Sequence, residues 1–269
     1  MATKDPRTYT DADSDVCRGG VVTLSEATRD GPTLLVSVRD AAEAIEALEG
    51  GAGILDVKDP HEGPLGRASR VATHAIVRAW ESRGRRSLLT AALGDLDPGE
   101  SADSFEPPRG VAIFKLGLAG WSNRPGWEVL LDGWRRKLAS HSANLVVAAY
   151  ADWREARSPN VDAVLAFAIS RGLPFFLVDT FKKDGRGLRD HVSLEQVAGW
   201  IAAAHAAHVR VALAGSLRVD DLDLLAALGA DVLAARGAAC RNGDRLASID
   251  RARVATLSIQ LAARRRRPA

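Results

Sequence analysis

The chain has 269 residues, 46% of them hydrophobic and 26% charged, with a formal net charge of +2. This is an ordinary globular composition, long enough to bury a large core without cross-links and too near neutrality to point to nucleic acid as a partner. Two cysteines, Cys17 and Cys240, make no disulfide framework and fit a reducing cytoplasm, and no apolar run of about 18 residues marks a membrane span.

Residues 1–31 are polar and aperiodic, carry no apolar segment of a secretory signal, and read as a disordered or loosely docked extension. An alternation of apolar runs and helical spacings follows. Runs at 33–38 and 53–58 read as strands, with a helix at 39–51 between them that closes on glycines. Helical spacing at 69–84 leads to a strand at 87–93. Residues 94–110 are rich in Gly, Pro and acidic residues, and no helix is expected there. Next come a strand at 111–117, a helix at 125–140, a strand at 144–152, a helix at 160–171 and a strand at 174–180. The last third repeats the pattern: helix 193–207, strand 209–215, short helix 218–230, strand 231–237 and a closing helix over 249–264. Residues 265–269 form a basic tail. Arg264 to Arg267 read as a solvated end, because no aromatic platform or second basic stripe accompanies them.

Eight strands, nearly all separated by helices and written as continuous apolar runs, predict a parallel sheet covered on both faces. Residues 32–264 therefore read as one α/β domain, a (β/α)8 TIM barrel. A doubly wound open sheet is the runner-up, but no strand leads into a G-x-G-x-x-G turn.

In such a barrel the active site lies at the carboxyl ends of the strands. The second strand ends in Asp56 and Lys58, the fourth in Lys115, the fifth in Tyr150 and Asp152, and the sixth in Asp179, followed by Lys182 and Lys183. Alternation puts Asp56 and Lys58 on one face. Several lysines converging with aspartates suit amine catalysis, in which burial and neighbouring positive charge expose a free amine and a carboxylate moves protons. Asp56 works against this by favouring the ammonium form, and sequence does not decide which effect wins. The glycine-bearing ends of the last two strands, with Gly215, Ser216, Arg236 and Gly237, suit a phosphate. The combination points to a small phosphorylated aldehyde or ketone.

Weaker signals carry little. His205 and His208 lack a third ligand, so no metal is expected, and no cofactor is implied. His61 reads as a turn residue, and Cys240 has no histidine partner in sight.

The stretches "LLVSVRDAAEAIEALEGGAGILDVKDPHEGPLG", "VDTFKKDG" and "ARGAACR" resemble the (5-formylfuran-3-yl)methyl phosphate synthases, over residues 33–245. The resemblance implies a barrel enzyme, a lyase, that joins two glyceraldehyde 3-phosphate molecules through a Schiff base, losing one phosphate and two waters. It implies Lys58 as the imine-forming lysine and Lys115 as proton acceptor. Asp56, Asp179 and Lys183 would line the site, Lys183 aligning better than Lys182 because it directly precedes Asp184-Gly185. The product would supply a furan-type one-carbon carrier. The expected partner is a phosphorylated triose, with neither nucleic acid nor membrane, and a homo-oligomer is left open. Two rival readings remain: another lysine aldolase or phosphosugar isomerase on the same barrel, and a non-catalytic phosphometabolite-binding protein.

Overall fold

A computed structural model describes residues 22–265. The expected barrel is observed: eight parallel strands close on themselves in sequence order. The first units are α1 (Leu24–Thr28), β1 (Thr33–Val38), α2 (Ala41–Glu49), β2 (Ile54–Val57), α3 (Arg70–Ser82) and β3 (Leu88–Asp95). The middle units are β4 (Ile113–Gly117), α4 (Trp127–Ala139), β5 (Asn144–Tyr150), α5 (Trp153–Ala156), α6 (Val161–Ser170) and β6 (Phe175–Asp179). The last are α7 (Leu194–Ala206), β7 (Arg210–Leu213), α8 (Val219–Ala227), β8 (Val232–Ala234), α9 (Arg236–Ala239) and α10 (Arg251–Arg265). Among the described residues no helix is long and apolar enough to cross a membrane.

The continuous apolar runs are explained by burial on both faces of the strands. Leu35, Ile54, Leu88, Ile113, Val146 and Phe175 fill the barrel. Their chain neighbours, such as Leu34, Leu55, Leu89, Phe114, Val147 and Phe176, face the helical ring. Helix starts follow ordinary capping chemistry: Asp40, Ser69, Asn160 and Ser193 each accept a backbone N–H of the first turn.

The third unit has no helix beyond a single turn, Ala102–Ser104, as the loop composition suggests. Aromatic side chains cover the sheet there instead. Phe105 stacks edge-on against Phe114 at 5.4 Å and tilts onto Trp134 at 5.3 Å, and the Trp121 indole N–H donates to the Leu96 carbonyl oxygen.

Two expectations need refinement. The segment before β1 is not wholly aperiodic, because α1 is closed by a reciprocal Thr23–Glu26 capping box. Residues 1–21 and 266–269, with most of the extension and tail, lie outside the described residues. Arg264, the first of the terminal arginines, pairs with Asp223 at 2.9 Å. The eighth strand is also shorter than its apolar run: β8 stops at Ala234, and Arg236 already belongs to the turn of α9.

Candidate active site

Register places Ser37, Asp56 and Thr90 side by side on β1, β2 and β3, all inside the barrel. Asp56 is 1% exposed, and both carboxylate oxygens are engaged. Oδ2 accepts the Ser37 hydroxyl at 2.9 Å, and Oδ1 accepts the Thr90 hydroxyl at 2.8 Å. Lys115, on β4, brings its Nζ to 2.5 Å from Oδ1. Burial pushes the Asp56 carboxyl up. The charges of Lys115 and Lys58, with hydrogen bonds from Lys115 and Thr90, outweigh burial and hold it below its ordinary value.

A second clasp closes the end of β6. The Asp179 Oδ1 accepts the Thr180 N–H and the Lys183 ammonium, both at 2.7 Å, and Lys183 also donates to the Thr180 hydroxyl at 3.1 Å. Here too burial raises the carboxyl, and Lys183, then Lys58, brings it below its usual range. Lys182 points elsewhere, to Glu155 at 2.7 Å, and is half-exposed. Of the two neighbouring lysines, Lys183 is the one at the mouth.

Lys58 has no such clasp. It is buried, and among the described residues its ammonium makes no hydrogen bond or ion pair. Burial lowers its pKa from 10.5 to about 8, opposed by Asp179 and Asp56 and assisted by Lys183 and Lys115. At pH 7 that leaves about a tenth of the molecules as free amine, against about 0.03% for an ordinary lysine. Desolvation therefore wins over the carboxylates, but only in part.

The two clasps border two connected spaces. A narrow cleft of about 40 Å³ inside the barrel is lined by Asp56, Lys58, Thr90, Lys115 and Asp179. A wider cavity of about 510 Å³ is lined by Lys58, Asp179, Lys183, Gly215, Ser216, Arg236, Gly237 and Arg245. Lys58 and Asp179 line both. A larger hollow of about 1040 Å³, between α1 and α10, holds none of these residues.

The wall formed after β7 and β8 is mostly backbone. Gly215 and Ser216 adopt successive left-handed conformations, with φ of 101° and 48°. A Cβ on Gly215 would come within 2.8 Å of the Thr180 side chain, so the turn needs glycine for both conformation and space. Gly237 lies in the first turn of α9 and has more room. Arg236, the fourth residue nominated for phosphate, turns its guanidinium away from that task. It pairs with buried Glu43 at 2.8 and 3.1 Å and donates to the Ser37 and Arg245 carbonyl oxygens. Arg245 is one of the cavity residues the sequence reading missed, along with Ser37, Arg218, Asp244 and Arg253. It lies in the loop beyond α9, where no strand-end rule applies.

Other polar groups support the frame. The Tyr150 hydroxyl donates to Asp95 at 2.8 Å across the edge of Gly117, where any side chain would collide with both. Burial, then Asp95, raises the Tyr150 pKa; burial also raises Asp95, against hydrogen bonds from Ala119 and Tyr150. Asp152 accepts the Phe181 and Lys182 N–H groups and fixes the loop after β6. His61 sits in the turn capped by Asp59, and His205 pairs with Asp231 at 2.8 Å. Cys240 is buried, which pushes its thiol up to about 11.

Comparison with known proteins bears on this geometry. The profile of a family described as 4-HFC-P synthase matches residues 34–258. The (5-formylfuran-3-yl)methyl phosphate synthase of Methanococcus maripaludis is 36% identical over 220 residues, 79% of this chain and 91% of its own. The enzyme of the same name from Methanocaldococcus jannaschii is 35% identical over 218 residues, 79% of this chain and 92% of its own. Among solved structures, 3-hexulose-6-phosphate synthase from Salmonella typhimurium superposes with a TM-score of 0.57, covering 85% of this chain and 99% of its own. At 16% identity that likeness concerns the fold alone.

Proposed function

Because the chain belongs to the 4-HFC-P synthase family, we propose that it condenses two molecules of glyceraldehyde 3-phosphate into (5-formylfuran-3-yl)methyl phosphate through an imine on Lys58. The supporting observation is the position of Lys58. It is buried and unclasped, with the Lys115–Asp56 pair on the barrel side and a cavity of about 510 Å³ on the other.

The chemistry follows from the product skeleton. The Lys58 amine adds to the aldehyde carbon of the first triose and expels water, giving an iminium. Loss of the adjacent C2 proton and of phosphate from C3 leaves an unsaturated iminium. C2 of the second triose, deprotonated next to its own aldehyde, bonds to that C3. The C2 oxygen of the first triose then closes onto the aldehyde carbon of the second. Two waters leave as the ring becomes aromatic. Hydrolysis of the imine consumes the water released when it formed. The sum is one phosphate and two waters lost, with the second triose's phosphate retained. This joins C3 of the first triose to C2 of the second by conjugate addition.

The residues divide these tasks. Burial gives Lys58 its free amine. Asp179 opposes that effect before attack, and afterwards its negative charge stabilises the iminium. The Lys115–Asp56 couple handles the C2 proton. The Lys183 ammonium, held at Asp179, meets the departing phosphate. The lyase product would serve a furan-type one-carbon carrier. The test is incubation with glyceraldehyde 3-phosphate alone. A furan aldehyde phosphate, with phosphate released in equal amount, is expected; unchanged triose or a non-aromatic sugar phosphate contradicts the proposal.

A further inference from the structure

Besides Lys58, the wide cavity holds a second cationic group, partly buried, that the fold leaves unanswered among the described residues. Among the described residues the Arg245 guanidinium makes no hydrogen bond or ion pair, and its Nη2 is buried. A donor withdrawn from water without an acceptor destabilises the fold, so such a group calls for an explanation. Burial lowers its pKa while Asp179 pulls the other way, so the guanidinium feels the catalytic carboxylate across the cavity.

The backbone beneath it, by contrast, is firmly held. The Arg236 Nε donates to the Arg245 carbonyl oxygen at 2.8 Å, and the Arg39 Nη1 donates to the Leu246 carbonyl oxygen at 2.6 Å. Both arginines are anchored on Glu43, Arg236 at 2.8 Å and Arg39 at 3.1 Å. Asp244, the adjacent carboxylate, accepts the Leu246 N–H. The loop is fixed from two sides while the Arg245 head group stays unanswered.

We infer that Arg245 is the charged ligand of the substrate's phosphate dianion, and that Arg236 and Glu43 position it. The inference rests on the phosphorylated-substrate reading above. A planar guanidinium fork matches two phosphate oxygens, and Gly215, Ser216 and Gly237 line the same space with little side-chain bulk. An unphosphorylated triose gives this group nothing to bind. Arg245 therefore selects phosphomonoesters and does not take part in bond making at Lys58.

The test is calorimetric titration of inorganic phosphate into the full-length chain. Arg245→Gln is expected to weaken phosphate binding about 10- to 100-fold without lowering the melting temperature. It should raise KM for glyceraldehyde 3-phosphate more than it lowers kcat. Arg245→Lys should recover part of the affinity, since it keeps the charge and loses the fork. Arg236→Gln should lower both phosphate affinity and melting temperature. The inference is overturned if wild-type protein binds no phosphate, if Arg245→Gln binds it as wild type does, or if the loss falls on kcat with KM intact. Phosphate binding needs no furan chemistry, so the two readings fail separately. Phosphate held through Arg245 by a chain that makes no furan sinks only the proposed function. Furan made by a chain whose phosphate affinity ignores Arg245 sinks only this inference.

Discussion

The Asp56 carboxylate lies 2.5 Å from Lys115 on β4, and its ion-pair partner is therefore not Lys58, two residues further along its own chain. The strand between them makes this reach feasible, because β3 presents only the short Thr90 at that level. The two lysines thereby differ in surroundings, Lys115 clasped and Lys58 without a hydrogen bond or ion pair among the described residues. Asp56→Asn is expected to cut kcat by about a hundredfold or more, because the proton-handling couple loses the carboxylate that holds Lys115 in place. Substrate should still be trapped on Lys58. A variant with near wild-type turnover contradicts the assignment of that couple.

The pH dependence follows from Lys58. Its folded pKa is about 8, and only the deprotonated amine attacks, so the rate of imine formation should rise with pH through a limb centred near 8. Rapid-quench trapping with borohydride across that range measures it. A rate that is flat through the limb, or that falls as pH rises, contradicts a desolvated amine nucleophile.

Gly215→Ala should damage the cavity wall. The new methyl group would meet Thr180 at 2.8 Å, at a position whose φ is 101°. A left-handed residue forced into such a contact costs about 1–3 kcal/mol. Because Thr180 also accepts the Lys183 ammonium, KM should rise along with the loss of stability. Thermal melts and steady-state kinetics together check both effects. Unchanged values mean that the turn is more yielding than its packing indicates.

Glu43→Ala removes one partner of a buried ion pair and leaves the Arg236 guanidinium without its carboxylate. Breaking such a pair costs about 3–5 kcal/mol, measurable by denaturant unfolding. A loss under about 1 kcal/mol is the result for an exposed pair and contradicts the buried reading.

Much of this was legible in the sequence because a barrel strand has a simple code. Continuous apolar runs announce burial on both faces, and a charged residue at the end of one announces the mouth. Lys58, Lys115 and Asp179 were found by that rule. The pairings were not, since a strand sequence gives the face a side chain shares but not the neighbour it meets across the barrel. Only register shows that Asp56 stands between Ser37 and Thr90 and within reach of Lys115. Arg236 misled because its apolar run continues past the true end of β8 at Ala234, so a residue read as a strand-end ligand is a buried anchor. Arg245 gave no signal, because its place in the cavity depends on how the loop beyond α9 folds back over the barrel mouth.

The central claim is that Lys58 attacks the aldehyde. The direct measurement is borohydride reduction in the presence of glyceraldehyde 3-phosphate, followed by mass spectrometry of the peptides. A reduced triose-derived adduct on Lys58 is expected in the wild type and in Lys115→Ala. Lys58→Arg should show neither adduct nor turnover, because arginine keeps the charge but offers no free amine. An adduct on Lys115 or Lys183 instead, or substantial turnover by Lys58→Arg, contradicts the claim.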